Sequence, residues 1–371
     1  MQKPGLTNEF CRGRQRRLLA VMQRLKLDLA IFVRHEHVQW LTGRYVPRLF
    51  SAAVALDSDG RCTVVVPSGG VVRPLAADHV VTYDAQWLAT LRNDQPRAVA
   101  AAMVDALGSE AVSETKSIGV EFASCGPYLS TVISGALVDL EQEMFALRRC
   151  KDPDELACIR FAIAATEAMY ERAREVIHPG VNELEVFSHL QAAAVASLGE
   201  VPTALRNDFA CGVPGGPARD REILDGELYI LDLGPAFRGY YADNCRTIAV
   251  NGTPTDLQRQ AWRKIADVFP LVEHRVAPGM RCRELFEDVR DRMEVFLAGG
   301  FSHHLGHGIG LYPHETPHLN PNWDDRFKVG DVFTVEPGLY SEALRGGIRL
   351  EQNYRVTEDG VELLSDFSLS L

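Results

Sequence analysis

The hydrophobic pattern of the first 147 residues is that of an α/β unit. Short apolar runs rich in β-branched residues, typical of buried or half-buried strands, occupy 28–34 (LDLAIFV), 52–57 (AAVALD) and 62–67 (CTVVVP). The tripeptide SDG at 58–60 predicts a hairpin turn between the last two runs. Apolar residues at helical spacing over 16–25 (RRLLAVMQRL) predict an amphipathic helix. This part shows no cluster of residues that indicates catalysis.

A strong helix start follows, and we place the domains at 1–147 and 148–371. Asp152 is a suitable N-cap, Pro153 suits the first helical position, and Glu155 completes a capping box. The length of the chain agrees with two domains, each able to bury its own core.

Two blocks of sequence recur in the second domain, in the same order. PGVNELEVF (179–187) matches PGMRCRELF (278–286) at an offset of 99 residues. GELYILDLG (226–234) matches GDVFTVEPG (330–338) at an offset of 104, which pairs Asp232 with Glu336. We therefore expect two related halves, each with helices, a hairpin and an acid on the first strand of that hairpin.

The first hairpin is expected over residues 228–250, where two β-rich runs flank PAFRG. With a turn centred between Phe237 and Arg238, Asp232 lies directly opposite Asp243, with Cβ atoms about 5 Å apart. Like charges at that distance destabilise a hairpin, so the pair predicts a cation between the carboxylates.

The second hairpin is expected between 332–340 (VFTVEPGLY) and 348–356 (IRLEQNYRV), with Glu336 and Glu351 inside its strands. The segment 303–315 (HHLGHGIGLYPHE) adds four histidines. Four carboxylates with an imidazole suit Mn²⁺, Fe²⁺ or Co²⁺, and Zn²⁺ stays open. Their charge exceeds that of one divalent ion, which favours two ions sharing bridging carboxylates. The alternative is two solvated strand faces and an ordinary glycine-rich loop.

Composition excludes some classes of function. The net charge of −11 argues against a general nucleic-acid binder. No apolar run is long enough to cross a bilayer and no secretory leader is visible, so we expect no membrane partner. The eight cysteines contain no CxxC pair, which predicts reduced thiols, no structural zinc and a cytoplasmic protein.

These motifs resemble the creatinase/methionine-aminopeptidase superfamily, and most closely its Xaa-Pro aminopeptidase and prolidase branch, the M24 peptidases. The matching blocks are DLGPAFRGYYADNCRT, HHLGHGIGLYPHE, TVEPGLY and GIRLEQ, and in the first domain RRLLAVMQRLKLDLAIF and WLTG. The resemblance implies an α/β (α+β) fold, with a small N-terminal creatinase-like domain before a "pita-bread" catalytic domain of pseudo-twofold symmetry.

The resemblance also implies roles for individual residues. Asp243 and Glu351 would bridge two divalent ions, Mn²⁺ first with Co²⁺, Zn²⁺ or Fe²⁺ open. One ion would be held by Asp232 and the other by His307 and Glu336. His314 would steady the scissile carbonyl as it becomes an oxyanion, His303 would help form the pocket for the proline ring or product carboxylate, and Arg349 would orient the ligands. His304 and His318 are assigned to ordinary packing or the surface.

The activity implied is a dinuclear metal-dependent hydrolase that cleaves Xaa-Pro bonds of dipeptides or short peptides, in a homodimer. A water bridging both ions would lose its proton near neutral pH, and Glu336 would take and relay that proton. Two other functions stay open: a C–N hydrolase or lyase of a small non-peptide molecule, and a non-catalytic binding module on the same fold.

The sequence departs from the family's pattern at two positions. Gly215 stands where family peptidases usually have a histidine, in a loop shortened by several residues, and His37 of a neighbouring subunit is a candidate substitute. Cys245 stands where threonine is usual, either as an inert buried thiol or as a sulfur that makes the site sensitive to oxidation. Arg345 is interpreted as a surface residue.

Overall fold

The computed structural model describes residues 3–69, 75–108, 112, 114–126, 131 and 135–371. The chain forms two compact units, Met1–Arg148 and Arg149–Leu371. Within the described residues, no helix is both long enough and apolar enough to span a membrane.

A six-stranded mixed sheet, in the order β4-β3-β2-β1-β7-β8, forms the centre of the first unit. The three strands expected from apolar runs are confirmed as β1, β2 and β3, and β1 is antiparallel to β2 and parallel to β7. The strands are β1 (Leu29–Phe32), β2 (Ala53–Asp57), β3 (Cys62–Pro67), β4 (His79–Tyr83), β5 (Gln86–Trp87), β6 (Thr90–Leu91), β7 (Ser117–Val120) and β8 (Ala136–Asp139).

The first helix is longer than the pattern predicted, because polar residues take part in its buried face. Thr7 caps it by accepting a hydrogen bond from the Phe10 amide, and it buries Arg14 and Gln15 beside Leu18. Gln15 is satisfied there by the carbonyl oxygens of Leu41 and Ala76. The described helices of the first unit are α1 (Asn8–Leu25), α2 (His35–Thr42), α3 (Gln95–Leu107) and α4 (Glu141–Arg149).

Two helices of the second unit begin at residues well suited to cap a helix. The predicted capping box of Asp152 and Glu155 is present at the start of α5, and Asn182 caps α6 by accepting from the Leu184 amide. The helices are α5 (Pro153–Val176), α6 (Glu183–Leu198), α7 (Asp256–Ala266), α8 (Val268–Arg275) and α9 (Cys282–Phe296), with a 3-10 turn at Glu342–Leu344.

Two sheets carry the hairpins of the second unit. In one, β10 pairs with β9, β11 and β12; the other has the order β14-β13-β15-β18-β19, and β16 pairs with β17. The strands are β9 (Ala204–Asp208), β10 (Leu228–Phe237), β11 (Tyr240–Tyr241), β12 (Asn244–Ala249), β13 (Gly306–Gly308), β14 (Glu315–Leu319), β15 (Val332–Val335), β16 (Gly338–Leu339), β17 (Ile348–Arg349), β18 (Gln352–Val356) and β19 (Val361–Leu363).

The sequence repeat corresponds to repeated backbone contacts. Gly180 and Gly279, the glycines of the two PG pairs, both have φ of 89°. Two residues after each glycine the chain forms an isolated antiparallel bridge, Asn182 with Glu222 and Arg281 with Arg326. The bridged residues are separated by the same offsets as the two sequence blocks. In both halves, therefore, the residue just before a helix pairs with the segment that leads into the hairpin.

Candidate metal centre

The first hairpin forms, but in a different register from the predicted one. Asp232 on β10 pairs with Cys245 on β12, not with Asp243. The turn is the pair Arg238-Gly239, with φ of 47° and 87°, as in two-residue hairpin turns with positive φ at both positions. The turn thus lies one residue later than predicted, and it requires at Arg238 a positive φ that arginine rarely adopts. A register shift of two residues keeps each side chain on its face, so both aspartates still point to the same side.

The second hairpin forms as predicted. The pairs Val335 with Gln352 and Gly338 with Arg349 belong to one register, which places Glu336 opposite Glu351. Both glutamates interrupt the strand pairing and are buried. Each hairpin thus contributes two acids to the space between the two sheets.

Three of these carboxylates converge at one point. Oxygen atoms of Asp232, Asp243 and Glu351 lie within 4.8 Å of one another, and all three residues are buried. Burial, followed by the charges of neighbouring acids, raises the pKa of both Asp243 and Glu351 well above the ordinary values. Both carboxylate oxygens of Glu351 are buried without a hydrogen-bond partner among the described residues. Such a group is costly unless a cation compensates it, so the donor set fits divalent metal ions.

His307 lies beside these acids in the ionisation state that a metal ligand needs. It occupies β13, and its Nε2 lies 3.4 Å from Glu336 Oε1 and 3.8 Å from Asp243 Oδ2. Its Nδ1 lies 3.1 Å from the Gly308 carbonyl oxygen, so Nδ1 carries the proton and Nε2 keeps its lone pair towards the acids. Burial lowers the pKa of His307 to about 3, which keeps the ring neutral.

Glycine at position 306 allows this strand to lie close to β15. A Cβ atom at Gly306 would collide with the backbone carbonyl of Thr334. The Thr334 hydroxyl accepts from the His307 amide and lies 3.3 Å from Glu336 Oε1. The glycines among the histidines therefore bring His307 within reach of Glu336.

The remaining histidines of the segment surround the same acids. The His314 ring is stacked on His307, with centroids 3.7 Å apart. His303 Nδ1 lies 2.7 Å from the His304 carbonyl oxygen, so its Nε2, 2.9 Å from the Tyr340 hydroxyl, accepts a hydrogen bond. Burial lowers the pKa of His303 to about 4, and the ring is neutral in this contact.

The assignment of His304 to packing or surface is wrong. Its Nε2 lies 2.9 Å from Glu336 Oε1. Burial opposes protonation of His304, but the Glu336 carboxylate outweighs it and raises the pKa of the ring. His318 is different: its ring hydrogen-bonds to Asp325 and stacks on Trp323, and it is not among the residues that line the cavity described below.

Arg349 lies behind the carboxylates and joins two residues that sequence reasoning missed. Its Nη2 donates to Asp232 Oδ2 at 2.7 Å and also to Asp208 Oδ2. Its Nη1 donates to the Tyr340 hydroxyl at 3.1 Å and to the Pro214 carbonyl at 3.3 Å. Asp208 carries no sequence signal because its role depends on pairing between β9 and β10. Tyr340 lies at the end of the TVEPGLY motif, where the sequence alone gives it no distinct role.

These side chains line a cavity of about 490 Å³. Its wall includes the four histidines of the 303–314 segment, the acids Asp232, Asp243 and Glu336, and Tyr340 and Pro214. The cavity volume is within the range typical of sites for small ligands and short peptides.

The structure also distinguishes between the interpretations given above for Cys245, His37 and Arg345. Cys245 is buried, its thiol donates to the Arg349 carbonyl oxygen at 3.5 Å, and burial raises its pKa well above the ordinary value. That favours the inert thiol. His37 is buried in the first unit against Glu121, so it is not exposed for a partner chain. Arg345 is exposed and donates to the Gly226 carbonyl oxygen, as a surface residue can.

Family models match both units of the chain. The model for metallopeptidase family M24 matches residues 157–358, more than half of the chain. The chain belongs to metallopeptidase family M24. The model for the creatinase/prolidase N-terminal domain matches residues 14–150, so this M24 chain has the expected two-domain arrangement.

Curated relatives and solved structures agree with this family. The M24 chain is 32% identical to the Xaa-Pro dipeptidase of Pyrococcus furiosus over 223 residues, 59% of this chain and 64% of that protein. An uncharacterized peptidase of Bacillus subtilis, YqhT, is 32% identical over 62% of this chain and 66% of its own length. The matches thus span slightly less than two thirds of these relatives.

The fold is shared with solved structures of the family. The prolidase from P. furiosus superposes with a TM-score of 0.77 at 23% identity, covering 94% of this chain and 99% of that one. The proline aminopeptidase P II from Yersinia pestis superposes with a TM-score of 0.78 at 20% identity, covering 97% and 96%. At these identities the likeness concerns the fold.

Proposed function

We propose that this protein is a dinuclear metal-dependent peptidase that cleaves Xaa-Pro bonds of dipeptides or short peptides. The observation that carries the proposal is the buried group Asp232, Asp243 and Glu351, whose oxygens lie within 4.8 Å of one another beside His307 and Glu336. Membership of the M24 family and the relatives named Xaa-Pro dipeptidase support the choice of reaction.

Five residues would hold the ions. Asp243 and Glu351 would bridge them, Asp232 would complete one ion's ligands, and His307 with Glu336 the other's. Bound divalent ions supply Lewis acidity and lower the pKa of the hydrolytic water. The electron-rich oxygen donors with one imidazole favour Mn²⁺, with Co²⁺, Zn²⁺ or Fe²⁺ open.

The other residues of the site would position and protonate the substrate. Glu336 is the carboxylate that would take the proton of the hydrolytic water and relay it, because it lines the cavity and lies beside His304. His314 lines the cavity as an exposed ring stacked on His307, where its N–H can donate to the oxygen of the scissile carbonyl. His303, fixed by Tyr340, would form the wall of the pocket for the proline ring.

The proposal extends to the state of the protein in the cell. We place it in the cytoplasm as a homodimer. The support is the spacing of its eight cysteines, which include no CxxC pair and favour reduced thiols. Light scattering of the purified protein tests the dimer.

A second candidate is a metal-dependent hydrolase or lyase of a small non-peptide C–N bond. The observation that favours it is Gly215, where family peptidases usually have a histidine. The space beside this glycine is taken by the Asp208 carboxylate. A remodelled wall of this kind can change the leaving group that the site accepts.

The deciding experiment measures both metal and turnover. Purified protein is loaded with Mn²⁺, Co²⁺ or Zn²⁺, its metal content is determined, and release of proline or of the N-terminal residue is followed with Xaa-Pro dipeptides and Xaa-Pro-Xaa tripeptides. We expect two ions per chain and turnover that Asp243→Asn abolishes. Two bound ions without peptide turnover would overturn the peptidase proposal and direct the search to small amides.

A further inference from the structure

We infer that Asp208 is a positioning residue of the metal centre, which acts on the ligand Asp232 through Arg349 and occupies the space beside Gly215. The inference rests on the proposed function in one respect, that Asp232 holds a metal ion. It concerns a residue outside the five ligands and outside the quoted sequence motifs.

Asp208 and Asp232 are direct cross-strand neighbours. β9 pairs with β10 in the register that places Asp208 opposite Asp232. Opposed carboxylates destabilise a strand pair unless a cation lies between them. Nη2 of Arg349 supplies that charge, since it donates to Oδ2 of both aspartates. The three groups form an acid–guanidinium–acid bridge with Asp232 at the cavity end.

This bridge affects how much of the negative charge of Asp232 is available to a metal ion. Arg349 alone beside Asp232 would form a one-to-one ion pair and compete with the ion for that carboxylate. A second carboxylate on the same nitrogen shares the guanidinium charge, which leaves Asp232 more negative towards the cavity. Removal of Asp208 should therefore weaken metal binding for two reasons. One negative charge near the site is lost, and Arg349 pairs more strongly with Asp232.

Asp208 also explains the glycine at position 215. Its Oδ1 accepts a hydrogen bond from the Gly216 amide at 2.7 Å. A Cβ atom at Gly215 would lie 2.5 to 2.8 Å from the carboxylate atoms of Asp208, closer than real Cβ contacts allow. A side chain at 215 and Asp208 in this orientation exclude each other. The Asp208 carboxylate on β9 thus occupies the space that a side chain at position 215 of the loop would take.

The first test measures metal binding without substrate. Calorimetric titration of the metal-free full chain with Mn²⁺ compares the wild type with Asp208→Asn and Asp208→Ala. We expect at least about tenfold weaker binding to the site that contains Asp232, as is usual when a residue that orients a ligand is lost. Exposed Asp366→Asn is the matched loss of one charge and should bind as the wild type does. Thermal unfolding of each metal-free variant checks that the fold is retained.

The second test uses the steric conflict between a side chain at position 215 and the Asp208 carboxylate. Gly215→Ala alone should weaken Mn²⁺ binding, because the new Cβ displaces the carboxylate from Arg349. In the Asp208→Ala background the same substitution should add less than twofold, since its collision partner is gone. Gly126→Ala, where an added Cβ meets no atom of the described residues within 4 Å, is the control.

Each outcome separates this inference from the proposed function. Binding within twofold of the wild type in Asp208→Asn, or additive effects of the two substitutions, overturns the inference. Weaker binding and a non-additive cycle support it even if the wild type cleaves no Xaa-Pro bond, a result that would overturn only the proposed reaction. If the wild type does cleave, Asp208→Asn should raise the metal concentration needed for half-maximal rate, with little change of KM at saturating metal.

Discussion

His304 and Glu336 face each other at the cavity, with Nε2 of the imidazole 2.9 Å from Oε1 of the carboxylate. Burial disfavours ionisation of Glu336, but the charge and the hydrogen bond of His304 outweigh it and hold the pKa of this carboxyl below its usual range. Glu336 is thus an anion held by a neighbouring imidazole at the place where the proposed mechanism needs a fixed proton acceptor.

Loss of the His304 imidazole is therefore expected to slow turnover. In His304→Ala, kcat should fall about tenfold or more, because a hydrogen bond to a charged group contributes about 1.5–3 kcal/mol and 1.4 kcal/mol corresponds to tenfold in rate. His304→Gln, which keeps a donor, should lose less. The rates are compared at saturating Mn²⁺, where the metal content of both variants should match that of the wild type. His318→Ala is the control, and a His304→Ala rate within twofold of the wild type would contradict the role.

Glu351→Gln should have opposite effects on the metal-free and the metal-loaded protein. Both oxygens of Glu351 are buried without a hydrogen-bond partner among the described residues, and Asp243 is close by. Replacing this acid with a neutral amide should stabilise the metal-free protein, by about 1 kcal/mol or more. The stabilisation that added Mn²⁺ gives to the wild type should be lost. Thermal unfolding with and without a chelator measures both; a lower Tm of the metal-free variant would count against an uncompensated carboxylate.

Patterns of neighbouring residues in the sequence were enough to predict the strands and acids of this site. The features that they did not predict depend on pairing between strands. The strands around Asp232 and Glu336, and the capping box at Asp152, follow from hydrophobic runs and short-range hydrogen bonding. The hairpin register was wrong because positive φ at Arg238 has no sequence signature. The role of Asp208 depends on the pairing of β9 with β10, which places it opposite a residue 24 positions later in the chain, and no motif marks it.

The packing of Gly306 against β15 gives a further expectation. Because an added Cβ would collide with the Thr334 carbonyl, Gly306→Ala should destabilise the second unit by about 2 kcal/mol or more. It should also move His307 away from Glu336 and so weaken metal binding. Denaturant unfolding and Mn²⁺ titration measure the two effects. Gly13→Ala is the control: in this helix an added Cβ lies 3.8 Å or more from the flexible ends of two arginines, so the change should neither lower stability nor weaken Mn²⁺ binding.

A buried carboxylate outside the metal centre, that of Glu183, holds the loop next to the site through hydrogen bonds and ion pairs. Glu183, the first residue of α6, is fully buried and accepts hydrogen bonds from the Cys211 amide at 3.0 Å and the Arg219 amide at 2.9 Å. It also pairs with the side chains of Arg219 and Arg221. Burial opposes its ionisation, but the Arg219 side chain and these amides outweigh it and lower the pKa of Glu183.

Glu183→Gln should accordingly destabilise the protein at neutral pH and much less in acid. A carboxyl whose pKa is lowered by folding contributes stability that is fully present above its unfolded pKa of about 4.3 and is lost as the pH falls through the lower folded value. We expect a loss of about 3 kcal/mol at pH 7, towards the low end for a buried pair because Arg219 is partly exposed. The difference from the wild type should shrink steadily below about pH 4. Urea unfolding at a series of pH values measures it, with exposed Glu185→Gln as the control; a difference that grows on acidification would show that Glu183 is not held as an anion.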